Sequence, residues 1–267
     1  MLRWQEAPPP RPGGRGIARL PRMIGPDAYV ENAAAMWSAV ALHTRRDQSC
    51  FRAELPRATR LILRAPLSTE GVSGLLDSVP PAKSAVVEDV FGGGAAEPAD
   101  PAVRVLRMPV MVRPAGTVGT TSDGDVRIVC VSDPAELAVA ERTMVEGFPL
   151  PAFLPWRSGE ALPAAVLTVP GWSVRLAYRR GEPAAATYTY DDGRVVGLYW
   201  LVTSPSHRSA GLGRALLTQA IAAHPDRPFT LVATDAGRPL YESLGFRTVA
   251  TTGWYLRAPV PAPDPHR

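Results

Sequence analysis

Apolar and polar positions divide the chain into short strand-like runs separated by amphipathic helical stretches. In the first part, Glu31 to Arg45 carries apolar residues at Ala35, Met36, Val40 and Leu42 with Trp37 beside them, a helical spacing. Ala58 to Arg64, Ser84 to Val90 and Val103 to Val112 read as strands. Between the first two, Ser68 to Leu76 reads as a helix with Ser68 as its N-cap. Residues 92 to 101 and 114 to 124 are turn formers, and the second of these predicts a linker.

The pattern is sharper beyond it. Val126 to Val131 is a strand, and Asp133-Pro134-Ala135-Glu136 then supplies an N-cap, a proline at the first helical position and an acid in the first turn. The helix predicted there ends at Gly147. Pro149 to Pro163 is irregular and carries Phe153 and Trp156, either as a mobile cover over a pocket or as a plain connector. Trp172 to Tyr178, Ala184 to Tyr190 and Arg194 to Thr203 follow as three strands, the last two joined by Asp191-Asp192-Gly193, a hairpin signature. Ser204-Pro205 breaks the third strand. Leu212 to Ala223 is an amphipathic helix, Phe229 to Ala233 a strand, and Arg238 to Leu244 a short helix closed by Gly245. Phe246 to Ala250 and Trp254 to Leu256 complete the pattern as two strands.

Composition limits the function classes. No run approaches the roughly 20 apolar residues of a membrane span. The net charge of +4 sits in residues 1 to 23, which hold five arginines, five prolines and a single acid, Glu6. That segment reads as a disordered tail, and a nucleic-acid partner as unlikely, since the rest of the chain is neutral overall. It has no apolar stretch of the signal-peptide kind, so a cytoplasmic location is expected. Cys50 and Cys130 each lie in an apolar stretch and read as buried free thiols; the four histidines have no metal-ligand spacing. Residues 259 to 267 read as a second disordered tail.

The chemistry concentrates at Arg208-Ser209-Ala210-Gly211-Leu212-Gly213-Arg214, between a strand and a helix. Glycines there let successive N–H groups converge beside the positive end of a helix, which suits a phosphate. A dinucleotide fingerprint is excluded: Leu216 stands where its third glycine belongs, the preceding strands form a meander, and no ribose-binding acid follows at the required distance. No Gly-Lys-Ser/Thr is present, so it is not a Walker loop.

The run Val202-Thr-Ser-Pro-Ser-His-Arg208-x-x-Gly211-x-Gly213 resembles the acyl-CoA motif of the GCN5-related N-acetyltransferases (GNAT). Leu240-Tyr241-Glu242-Ser243-Leu244-Gly245-Phe246 resembles a second motif of that family, and the element order from 126 to 257 is similar too. The resemblance implies an α/β (α+β) fold with a mixed central sheet, seated at 125 to 258, joined by a linker at 116 to 124 to a smaller N-terminal α/β domain at 24 to 115. A degenerate copy of the same fold is one open reading of that N-terminal unit. It shows no glycine turn between strand and helix, since Gly92 to Gly94 is followed by Ala-Ala-Glu-Pro, and it is not expected to bind CoA.

For function, the resemblance implies transfer of an acetyl group from acetyl-CoA to a primary amine by direct attack on the thioester. Backbone groups near Leu201, Val202 and Thr203 would hold the pantetheine arm. The amides of Arg208, Ser209, Ala210, Gly211, Leu212, Gly213 and Arg214 would hold the pyrophosphate. Tyr241 would protonate the departing thiolate. Thr234 stands where the family often has asparagine, and its hydroxyl would touch the cofactor arm. The partner implied is a small-molecule or peptide amine, with no membrane. No general base is assigned: the strand before Thr203 carries no acid, Asp191 and Asp192 read as turn formers, and Glu146 and Glu160 as solvated. A non-catalytic acyl-CoA sensor is the alternative, because the glycine turn alone speaks only to binding.

Overall fold

A computed structural model describes residues 24–92, 98, 100–119, 125–148 and 153–260. The proposed tail at 1 to 23, Gly93 and Gly94, positions 120 to 124 of the linker and the tail beyond 260 lie outside the described residues.

The first part contains α1 (Pro26–Ser38), β1 (His43–Arg46), β2 (Cys50–Glu54), β3 (Ala58–Leu63), α2 (Thr69–Asp77), β4 (Ser84–Asp89) and β5 (Val103–Arg113). The second contains β6 (Val126–Cys130), α3 (Pro134–Gly147), a 3-10 turn at Ala164–Thr168, β7 (Trp172–Arg179), β8 (Glu182–Asp191), β9 (Val196–Thr203), α4 (Leu212–Ala222), β10 (Phe229–Val232), α5 (Arg238–Glu242) and β11 (Arg247–Arg257).

Several expectations shift. The first helix starts at Pro26, which presets the first turn, and ends before His43. The exposed His43–Arg46 run pairs with β2 as an edge strand instead of extending the helix. The two final strands are one, β11, with an irregularity between Thr248 and Ala250. Cys50 is buried as expected, but Cys130 is exposed at the end of the edge strand β6.

The eleven strands among the described residues form one sheet, in the order β1-β2-β3-β4-β11-β5-β10-β9-β8-β7-β6. This order has an internal symmetry. In each half a helix precedes an antiparallel three-strand meander, a second helix, and a strand parallel to the meander's last: α1, β1-β2-β3, α2, β4 against α3, β7-β8-β9, α4, β10. The final strand of each half then crosses over. β5 pairs with β10, and β11 pairs with β4. The exchanged strands pair with each other along the middle of the sheet, from Arg247 opposite Val112 to Arg257 opposite Val103. The linker therefore separates two segments of sequence without separating two sheets.

The halves differ where the second helix begins. β3 and β4 stay paired from Ala58–Ser84 through Ile62–Glu88. At the start of α2 the Ser68 hydroxyl accepts from the Gly71 amide, so that helix satisfies one of its own free donors. The N-terminal copy is closed.

Helix α1 lies over the middle of the sheet and reaches both halves. Asn32, fully buried on its apolar face, accepts from the Tyr199 hydroxyl at 2.6 Å and donates to the Val195 carbonyl and the Asp192 carboxylate. This approach requires Gly197, because a Cβ there would collide with Asn32 Oδ1 and the Tyr199 ring. Gly197→Ala is expected to cost about 3 kcal/mol of stability through overpacking, seen as a lowered midpoint in thermal unfolding.

Candidate functional site

β9 and β10 run parallel but pair only at Val196–Phe229 and Gly197–Thr230. Beyond Gly197 the two strands part, and β10 continues against β5. The edge of β9 facing β10 is thereby left open over its C-terminal half.

A β-bulge then acts on that edge. Tyr188 opposes Tyr199 and Ala186 opposes Val202, so Thr187 faces two residues, Trp200 and Leu201. Trp200 takes a positive φ of 45°, a costly conformation for a bulky residue. Strand alternation fixes which backbone groups point where. Ser204 donates to the Ala184 carbonyl, and Tyr199 O accepts from the Thr187 hydroxyl, so Val202 and Tyr199 are turned to β8. Thr203, Leu201 and Trp200 are turned to the gap. Of the three residues expected at the pantetheine arm, Leu201 and Thr203 are turned to the gap and Val202 to β8. Its side chain instead meets Gly147, where a Cβ would collide with it. Trp200 faces the gap in its place.

The strand leads through a 3-10 turn, Pro205–His207, into the glycine turn. Ser209 and Gly211 adopt left-handed conformations, with φ of 61° and 73°. Gly211 is the N-cap of α4 and offers no side chain, in contrast to Ser68 at α2. The amides from Ser209 to Arg214 make no backbone hydrogen bond among the described residues, whereas that of Arg208 is turned inward to the Pro205 carbonyl. Six amides without an acceptor among the described residues thus lie at the positive end of the α4 dipole. Gly213 is packed close to Leu240 and Thr203. The Arg208 side chain reaches back to the Thr203 and Gly147 carbonyls, and Arg214 donates to the Ser243 hydroxyl at 2.6 Å.

On the far side of the gap, Thr234 organises the turn into α5. Its hydroxyl accepts from the Gly237 amide and its carbonyl from Arg238. Tyr241 lies beside Gly237, within the cluster holding Leu198, Leu201 and Leu231. Its ring is buried, and its hydroxyl has no hydrogen-bond partner among the described residues. Burial pushes its pKa above the ordinary phenol value, so the group stays protonated. From the N-terminal half, Arg113 Nε donates to the Leu244 carbonyl at 2.9 Å, which ties β5 to the end of α5.

The acids weighed from sequence are placed as follows. Asp191 and Asp192 cap the β8–β9 hairpin through backbone amides. Glu146 pairs with Arg142 on α3, and Glu160 with Arg57 of the other half at 2.7 Å. Glu141, which the pattern did not single out, is fully buried and accepts from the amides of Gly159, Ala161 and Leu162. It pins the irregular stretch before β7. Phe153, from the same stretch, packs on Trp200 with ring centroids 6.1 Å apart. A polar residue on an otherwise apolar helix face could have singled out Asn32; nothing in the sequence marks the bulge.

An open strand edge followed by a row of free amides can hold an extended, phosphate-ended chain, with the edge bonding its amide links and the turn its phosphates. No metal-binding cluster of His, Cys, Asp and Glu exists among the described residues, and none of the described helices is long and apolar enough to cross a membrane.

Comparison with known proteins agrees with this geometry. Residues 171–248 match the family model described as an acetyltransferase (GNAT) domain. No curated protein sequence matches the chain. Among solved structures, a GCN5-related N-acetyltransferase from Kribbella flavida superposes with a TM-score of 0.58 at 16% identity, covering 90% of this chain and 96% of that one. A GNAT-family protein from Novosphingobium aromaticivorans gives 0.56 at 20% identity, with 85% and 95% covered. At such identities the likeness speaks to the fold, and it spans both halves. Residues 171–248, which hold the open strand pair and the glycine turn, match a GNAT domain.

Proposed function

We propose that the chain transfers an acetyl group from acetyl-CoA to a primary amine. The observation that carries the reading is the parting of β9 from β10 directly before an uncapped helix, a feature the N-terminal copy lacks at the equivalent place. When bound, acetyl-CoA supplies an activated thioester carbonyl. The amides of Ser209 to Arg214 hold its pyrophosphate. The outward backbone groups of Leu201 and Thr203 align the pantetheine arm, and Thr234 lies at the opposite wall.

The amides of Trp200 and Leu201 at the bulge stabilise the negative charge that develops on the carbonyl oxygen. Donors already fixed in position stabilise that charge without reorganising, and holding both reactants removes much of the entropic barrier. The amine nitrogen attacks the carbonyl carbon, the C–N bond forms and the C–S bond breaks. Tyr241 gives its proton to the departing sulfur, and the proton lost by the amine passes to solvent, from which Tyr241 is recharged. Burial keeps the phenol protonated but makes it a weaker acid, so the transfer depends on direct contact with the sulfur.

Gly211→Val tests the cradle. A β-branched residue at φ 73° is strained, by roughly 1–2 kcal/mol, and moving the turn misaligns its amides. The expected result is acetyl-CoA binding weakened about tenfold by calorimetry. Unchanged affinity would remove the pyrophosphate assignment. Tight binding with no turnover of any amine would favour a sensor over an enzyme.

A further inference from the structure

Trp200 has a second surroundings besides the gap. Its side chain lines a cavity of about 400 Å³ between the two halves. From the N-terminal half come Trp37 and Val40 near the end of α1, with Leu42 after it; from the other side come Phe153 and Pro163. The walls are held in place. The Arg60 guanidinium stacks over Trp37 at 4.9 Å, Trp200 packs edge-on against Tyr188 at 5.6 Å, and Glu141 pins the amides of Gly159 and Ala161, both of which line the cavity. Leu42 is 60% exposed, with Val260 the most exposed of the large hydrophobics among the described residues. It lines the cavity and belongs to none of the buried clusters among the described residues.

The charges in the lining are Arg57 and Glu160, one from each half, and they pair with each other at 2.7 Å. Arg157 also approaches Glu160, at 3.7 Å. The single carboxylate is thus already answered. A polycationic acceptor entering here would lose water around charges that find no partner, which is costly. An amine carried on an apolar body would lose nothing of the kind and would bury that body against aromatic rings.

We infer that the acceptor is a monoamine on an aromatic or aliphatic body, bound in this cleft with the amine directed toward the bulge at Trp200. This rests on the acetyltransferase reading and deepens it. The inference also accounts for the missing general base. Removal from water disfavours the ammonium form, so an apolar cleft delivers the amine neutral without a carboxylate to deprotonate it.

The test uses the full chain. Phenethylamine and spermidine are compared as acceptors by release of CoA, and as ligands alone by quenching of tryptophan fluorescence. Phenethylamine is expected to exceed spermidine by about 50-fold in kcat/KM, the worth of burying a phenyl group, and to quench where spermidine does not. Leu42→Asp, at an exposed position where folding is not at stake, is expected to raise KM for phenethylamine about fivefold while acetyl-CoA affinity stays the same. A preference for spermidine overturns the inference, as does acetyl-CoA binding with neither quenching nor turnover by phenethylamine. Quenching by phenethylamine in a protein that binds no acetyl-CoA would sustain the cleft and sink the acetyltransferase reading, so the two failures are distinct.

Discussion

Residues 125–258, produced without the preceding segment, will not form a stable monomer. The reason is the exchange of final strands. That fragment retains β10 and β11 but loses β5, the strand between them, and with it the pairings from Phe229–Arg113 to Val232–Val110 and the whole β5–β11 ladder. It also loses β4, on the other edge of β11. Two strands would then present bare edges and apolar faces, a template for aggregation. The loss reaches the site as well, since Arg113 leaves the Leu244 carbonyl and Asn32 leaves Tyr199. The expected observations are insolubility, or a soluble species without a cooperative thermal transition. Co-production with residues 24–119 should restore both folding and acetyl-CoA binding. A fragment that unfolds cooperatively alone would show that the exchange is dispensable.

The second large effect is on chemistry. Tyr241→Phe is expected to lower kcat about a hundredfold or more, the range for loss of a positioned proton donor, with acetyl-CoA affinity unchanged. The ring is buried among Leu198, Leu231 and Phe246, and its hydroxyl makes no bond among the described residues, so phenylalanine fits without loss of structure. The sign with pH follows from the raised pKa. The phenol remains protonated through the neutral and mildly alkaline range, so the wild-type rate should show no alkaline decline from this group below its ordinary value near 10. The variant's pH profile should therefore be lower but of the same shape. An unchanged kcat would reduce Tyr241 to a packing residue.

Much of this was legible in the sequence, for reasons that differ by element. The helices at Asp133 and Ser68 are announced by their caps, and in both the side chain accepts the amide bonds expected of it. The glycine turn is readable because only glycine tolerates the conformation at Gly211 without cost. The two motifs that resemble GNAT sequences lie in the matched region, residues 171–248. What stayed hidden depends on contacts between distant residues. The bulge at Trp200 arises from register against β8, which alternation in β9 does not encode. The cleft needs Trp37 and Trp200, brought together by a helix and a strand far apart in sequence. The placement of β5 was hidden for a similar reason: its pattern says strand, and nothing local says which sheet edge it completes.

The same crossing of strands has a consequence for synthesis. β11 follows in sequence every strand it pairs with, and it is the partner that β4 and β5 both await. Domains of many chains fold in turn as they leave the ribosome. This chain has no such opportunity at its centre, where one edge of β4 and both edges of β5 stay unsatisfied until the second half has emerged. Its most exposed moment is late, with the meander of each half already formed and the seam between them still open.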